Sequence, residues 1–185
     1  MQYTNQYVSP LGNILLAADE DGLTGLWFEG QKYYGNSHKI YNENHPDSDS
    51  QDGNISVFTK TKEWLNIYFS GREPDFCPPL HMTGTPFQIA VWKILQKIPY
   101  GETTTYGEIA REIAAQKGIS RMSAQAVGGA VGHNKISIMV PCHRVVGSSG
   151  SLTGYAGGIG RKVKLLTLEK ADMSAYFVPR EGTAL

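Results

Sequence analysis

From residue 14 the chain alternates short apolar runs with turn-forming clusters. Ile14-Leu15-Leu16-Ala17-Ala18 is followed by Asp19-Glu20-Asp21-Gly22 and then by a second apolar run from Leu23 to Phe28. Two strand-like runs separated by acids and a glycine predict a β-hairpin. Residues 35–54, rich in Asn, His, Asp, Ser and Gly, predict a mobile surface loop. Phe58, Trp64, Leu65, Tyr68 and Phe69 recur at roughly helical spacing, which predicts one amphipathic helix near 55–69. The stretch SGREPDFCPPLHMTGTP that follows is dense in Pro and Gly and reads as a connection between two domains.

Beyond it the helical pattern sharpens. Thr85 as N-cap with Pro86 at the first helical position predicts a helix start. Phe87, Val91, Ile94, Leu95 and Ile98 form one buried face, and Pro99-Tyr100-Gly101 ends the helix. A second helix is expected from the Thr103–Thr105 cluster, with Tyr106 in its first turn and Ile109, Ala110 and Ile113 facing inward. A third is expected from Ser123, and the pair reads as a helix-turn-helix. The third helix, AQAVGGAVG, carries almost no bulk. Each glycine inside a helix costs about 1 kcal/mol relative to alanine. Close approach of this helix to another surface would explain the cost, and a tight helix–helix crossing is the alternative.

The run ISIMVPCHRVV, Ile136 to Val146, predicts a buried strand that stops near its proline. It delivers Cys142-His143-Arg144 to the lip of a core. A thiol attacks as thiolate, and an ordinary cysteine with pKa about 8.5 is mostly protonated at neutral pH. A neighbouring base or positive field changes that, and His143 and Arg144 are the candidates. Consecutive residues of a strand point to opposite faces. Direct contact between Cys142 and His143 therefore needs a bend just after Pro141, or a bridging water. The plainer reading is a buried cysteine with a chance histidine beside it.

Composition narrows the class. The 185 residues are 41% hydrophobic and 18% charged, enough for one medium globular domain or two small ones. No apolar run approaches the roughly 18 residues that would span a bilayer. The opening MQYTNQYVSP lacks the basic-then-apolar order of a secretory signal. Two cysteines, Cys77 and Cys142, make no disulfide framework, so a reducing cytoplasm is expected. Cys77 and His81 alone are two ligands short of a zinc site and are expected to be structural, with no metal and no cofactor. The net charge of zero hides an asymmetry. Residues 1–84 hold five Lys+Arg against eleven Asp+Glu, and residues 85–172 hold eleven against five. An acidic half facing away from a polyanion and a basic half facing it would carry such a split.

The pentapeptide PCHRV, Pro141 to Val145, resembles the active-site motif of the O(6)-alkylguanine-DNA alkyltransferases, the methylated-DNA–protein-cysteine methyltransferases. The segments TPFQIAVWKILQKIPYGETTTYGEIA, SAQAVGGAVGHN and SLTGYAGGIGRKVKLLTLE stand around it in the family's order. The resemblance covers the C-terminal half densely and the N-terminal half loosely. It implies an α+β protein. A small N-terminal ribonuclease-H-like α/β scaffold would occupy residues 1–78 and a linker 79–84. A winged-helix-like DNA-binding domain would span 85–173, followed by a tail at 174–185 that looks frayed from Ser174.

The resemblance also implies roles. Cys142 would accept the alkyl group in a single turnover, with His143 as base and Glu169 fixing its tautomer. Asn134 would brace the site, and Tyr106 would crowd the flanking phosphate and donate a proton to the leaving guanine. Val145, Tyr155, Ala156, Gly157, Val131 and Pro141 would shape the pocket. Gln125, Ser123, Ala124, Gly128, Thr105, Arg144 and Ser148 would meet DNA. Gln125 departs from the pattern, because the family often carries there an arginine that fills the vacated base stack. The expected partner is double-stranded DNA containing O(6)-alkylguanine, with O(4)-alkylthymine as a further substrate, bound by a monomer away from membranes. The alternatives are a non-enzymatic protein that binds alkylated DNA, which would lack the acceptor cysteine, a winged-helix regulator, and a cysteine hydrolase, which would turn over many times.

Overall fold

The computed structural model describes residues 3–33 and 55–179. The loop expected at 35–54 and the last residues of the tail lie outside the described residues. Strands β1 (Tyr3–Ser9), β2 (Gly12–Ala18) and β3 (Leu23–Phe28) form an antiparallel sheet in that order. The expected hairpin joins β2 to β3, and Asp19 Oδ1 accepts the N–H groups of Asp21 and Gly22 in its turn. Strand β1 was not foreseen. Its Thr4-Asn5-Gln6 stretch is exposed, and although Tyr3 and Tyr7 pack against the core, the ladder to β2 holds it with little apolar pattern to announce it.

Helix α1 (Ile55–Phe69) packs on β1 and β2 through a buried face that includes Phe58, Leu65 and Tyr68. The segment expected as a linker begins as part of this layer. Leu23 N–H donates to Pro79 O at 2.8 Å, and His81 N–H donates to Leu23 O at 2.9 Å. His81 also meets Asp19 at 2.7 Å and is not paired with Cys77. Further along β3, Leu26 N–H donates to Lys135 O at 2.8 Å and Ser137 N–H to Leu26 O at 2.9 Å. Both halves thus share one strand, and the main apolar core draws on both, from Ile14 to Leu165, beside two smaller clusters among the described residues.

In the C-terminal half, α2 (Pro86–Leu95) starts at a Thr85/Gln88 capping box, and α3 (Tyr106–Lys117) starts at a Thr105/Glu108 box. Gly118, left-handed at φ 63°, ends α3. Helix α4 (Ala124–Gly132) begins at Ser123, whose Oγ accepts from Ala126 N–H. Trp92 of α2 is buried and donates its indole N–H to Ala130 O at 2.9 Å, which pins α4 against α2. A two-residue strand β4 (Thr104–Thr105) runs parallel to β5 (Val145–Val146), and α5 (Ile159–Leu168) closes the half.

Two expectations fail. Ile136 to Val146 is not one strand. Residues 137–140 form turns, Ile138 has φ 69°, Cys142–Arg144 makes one 3-10 turn, and only Val145–Val146 is extended. The apolar side chains are buried as a strand's would be, but a side chain replaces the missing ladder. Asn134 accepts from Ile136 N–H and donates to Val140 O. The tail does not fray at Ser174 either. Leu152 N–H donates to Phe177 O at 2.9 Å, Phe177 N–H to Gly150 O at 3.1 Å, and the Tyr176 and Thr103 hydroxyls meet at 2.7 Å. Gly150, at φ 84°, is required here, since a Cβ would stand 2.1 Å from Ala175 O.

Candidate active site

The bend demanded between Cys142 and His143 is the 3-10 turn, which starts directly after Pro141. Cys142 is only 4% exposed, so it is held beneath the surface. Asn134, just past the end of α4, directs its amide at the sulfur, with Nδ2 3.1 Å from Sγ and 2.7 Å from Val140 O. Burial pushes the thiol up, while the Asn134 amide, the Lys162 ammonium and nearby backbone N–H groups oppose that push. The net shift is upward, so the resting group is a thiol that needs a base.

His143 is fully buried. Its Nε2 lies 2.7 Å from Glu169 Oε1, at the C-cap of α5. Its Nδ1 is buried without a hydrogen bond. A carboxylate beside Nε2 makes that nitrogen the N–H donor, which leaves the Nδ1 lone pair as the basic site. Burial lowers the His143 pKa, against the pull of Glu169, so the ring rests neutral.

Glu169, expected to fix the His143 tautomer, is an enclosed anion. It accepts five hydrogen bonds from described residues: Tyr68 hydroxyl at 2.6 Å, His143, Arg144 Nε at 2.9 Å, Arg144 Nη2 at 3.0 Å and Gly101 N–H at 3.3 Å. Burial works against the charge, but His143 and Arg144 outweigh it and hold the carboxyl well below the usual range. Arg144 therefore does not present itself to DNA. Its guanidinium forks the carboxylate, its Nη1 donates to Ile98 O at 2.6 Å, and the residue is buried. A planar cation with this many inward bonds serves the site's structure.

Several contributors were missed in the sequence. Tyr68 comes from α1, far from the motif, and its helical spacing marked it only as core. Lys162 is fully buried and donates to Val145 O at 2.6 Å and Thr153 O at 2.8 Å. Burial brings its pKa down to about 8, while Cys142 pulls it up. A signal existed: Lys162 stands three and four residues before Leu165 and Leu166, on the inner face of α5.

Of the remaining pocket candidates, Tyr155 has a direct contact with this center. Tyr155 is buried and meets the His143 ring edge-on, with centroids 6.3 Å apart. Ala156 O accepts from Lys32 N–H at 3.0 Å, and Gly157 O accepts from Arg161 at 3.1 Å. Val131, Pro141 and Val145 are buried. The Tyr106 hydroxyl, at the start of α3, lies 3.4 Å from both Thr153 O and Gly154 O. Burial, with Cys142 nearby, raises its pKa to about 12, so it remains a proton donor.

The outward candidates divide. Ser123, Ala124 and Gln125 are exposed at the start of α4, and Ser148 is exposed in a turn. Gly128 is half-buried, and a Cβ there would lie 3.8 Å from the Tyr106 ring. Thr105 is half-buried, and its hydroxyl is engaged with Glu108 in the α3 cap. The face of α4 left open is thus made of small side chains and one glutamine.

Known proteins carry the same build. The family model described as the ribonuclease-like domain of 6-O-methylguanine DNA methyltransferase matches residues 3–82, and that of its DNA-binding domain matches residues 86–171. A methylated-DNA–protein-cysteine methyltransferase of Mycobacterium bovis is 45% identical over 90% of this chain and 92% of its own. The crystal structure of the Mycobacterium tuberculosis O6-methylguanine methyltransferase superposes with a TM-score of 0.72 at 42% identity, covering 92% of this chain and 93% of that one. A structure of the M. tuberculosis protein in complex with DNA gives a TM-score of 0.73 at 41% identity, covering 93% and 97%. An N-terminal ribonuclease-like domain and a C-terminal DNA-binding domain, matched in both halves and across nearly the whole length, place this chain in the methylated-DNA–protein-cysteine methyltransferase family.

Proposed function

We propose that Cys142 takes the alkyl group from O(6) of an alkylated guanine that has left the DNA helix, once per protein molecule. Family membership makes the chain a DNA-repair transferase that binds DNA and moves an alkyl group to protein. The observation that carries the residue assignment is the buried His143, next in the chain to the buried Cys142, held 2.7 Å from the buried Glu169. His143 Nδ1 takes the thiol proton, directly or through one water, and Glu169 stabilizes the imidazolium that results. The sulfur attacks the alkyl carbon, the carbon–oxygen bond breaks, and the electron pair leaves with guanine. Tyr106 donates a proton to that leaving base and regains one from solvent. The thioether product is stable, so the protein is consumed.

The exposed start of α4, with Gln125, would lie against the DNA, and Tyr155, Ala156 and Gly157 would border the flipped base. O(4)-alkylthymine offers the same alkyl–oxygen bond and would be a second substrate. The protein would act as a monomer in the cytoplasm, where reducing conditions keep the thiol free. No helix among the described residues is long and apolar enough to cross a membrane.

Intact-protein mass after incubation with a duplex carrying one O(6)-methylguanine tests the reading. A gain of one methylene, about 14 Da, is expected to saturate at one per protein and to vanish in Cys142→Ala, as a covalent cysteine acceptor requires. Binding of the duplex with no mass gain would instead make this a binding-only relative. Gln125→Arg should bind duplex more tightly and with a steeper dependence of log K on log salt, because it adds one cation to the face that meets the polyanion. No gain in affinity would remove Gln125 from the DNA contact.

A further inference from the structure

We infer that Tyr68, from the N-terminal half, is a positioning residue for alkyl transfer: its hydroxyl holds the Glu169 carboxylate and limits how strongly that charge acts on His143. The inference rests on the proposed roles of His143 and Glu169. Tyr68 is fully buried, and its hydroxyl donates to Glu169 Oε1 at 2.6 Å, the same oxygen that His143 approaches at 2.7 Å. The hydroxyl stands 3.5 Å from His143 Nε2 itself. Arg144 Nη2 donates to Glu169 Oε1 as well, at 3.0 Å, and the three donors compete for its electron density, so the Tyr68 hydroxyl weakens the pull available to His143. Packing alone does not need this hydroxyl. The ring stacks on Trp64 at 5.2 Å and meets Tyr100 edge-on at 6.0 Å, contacts a phenylalanine would keep. Burial next to Glu169 keeps the phenol protonated, and therefore a donor.

The groups facing His143 come from several elements. Tyr68 reaches in from α1, Glu169 and Lys162 from α5, Tyr155 from the pocket loop, and Cys142 and Arg144 flank it in the chain. Lys162 and Arg144 disfavor the imidazolium and Glu169 favors it. Tyr68 adjusts the one favorable partner. The half of the molecule that read as a scaffold thereby sets the proton affinity of the base.

The test is the pH dependence of the single-turnover rate on a duplex carrying one O(6)-methylguanine. In Tyr68→Phe the carboxylate loses a donor, so its charge acts more fully on His143, and the base is protonated at higher pH. The acidic limb of the profile should move up by about one pH unit. The rates of variant and wild type should converge at alkaline pH. 3-Fluorotyrosine placed at position 68, a stronger donor of the same shape, should move the limb down, and it decides the matter if the phenylalanine variant folds poorly. A lowered unfolding midpoint with an unmoved limb would reduce Tyr68 to packing and overturn the inference. Failure of the wild type to become alkylated would overturn the proposed function instead.

Discussion

Glu169→Gln is expected to damage stability and alkyl transfer together. The carboxylate is 2% exposed and receives both nitrogens of the Arg144 fork, at 2.9 Å and 3.0 Å. A neutral amide leaves that guanidinium buried without its counter-charge and turns an NH2 group toward donors. Removing one partner of a buried pair typically costs about 3–5 kcal/mol. Transfer should slow by on the order of 10³ to 10⁴, the scale seen when a histidine loses the acid that sets its tautomer. The pH dependence of stability should change as well. Glu169 has a depressed folded pKa, so its contribution is present above the ordinary carboxylate range and is lost as pH falls through that range toward the folded value. His143, also depressed when folded, acts in the same direction: acid favors the unfolded chain once an exposed histidine would protonate. Denaturant unfolding between neutral and acid pH should show the wild type losing stability more steeply than the variant. A folded Glu169→Gln protein transferring methyl at the wild-type rate would remove Glu169 from the reaction.

Asn134→Ala has the next largest effect. One side chain holds the Cys142 sulfur at 3.1 Å, Val140 O at 2.7 Å and Ile136 N–H at 3.0 Å. All are buried, and each group left without a partner costs about 1–3 kcal/mol. The turn that aims Cys142 is stabilized by these bonds, so the thiol should become both less ionized and less well placed. The expected result is a lower unfolding midpoint together with a rise in the thiol pKa, read by pH-dependent alkylation with a small electrophile under conditions where the variant remains folded. An unchanged thiol pKa would mean that the amide only braces the turn.

The local half of this protein was legible in its sequence. The Thr85-Pro86 start, the Thr103–Thr105 cluster and the helical spacing of Val91, Ile94 and Leu95 are signals between near neighbors. They signal the helices, as the acids and glycine at Asp19–Gly22 signal the hairpin, and the PCHRV resemblance points to Cys142 and His143 as the proposed acceptor and base. Tertiary contacts decided the rest. Ile136 to Val140 look like strand residues because burial selects the same side chains whether the backbone is extended or turned, and Asn134 supplies the hydrogen bonds a ladder would have supplied. The tail looked free because its partners at Gly150 and Leu152 bind its backbone, which leaves no trace in side-chain pattern.

The same reason governs the site. Arg144 was expected against DNA by the resemblance, and its burial depends on a counter-charge at Glu169, 25 positions away. Tyr68 is 101 positions from the carboxylate it touches. The sequence by itself pointed to Cys142, His143 and Glu169 as the groups proposed to carry the chemistry. Only the folded chain, by burying Glu169 among donors from both halves, decided how that chemistry is tuned, because the cost of an unpaired charge exists only once water is excluded.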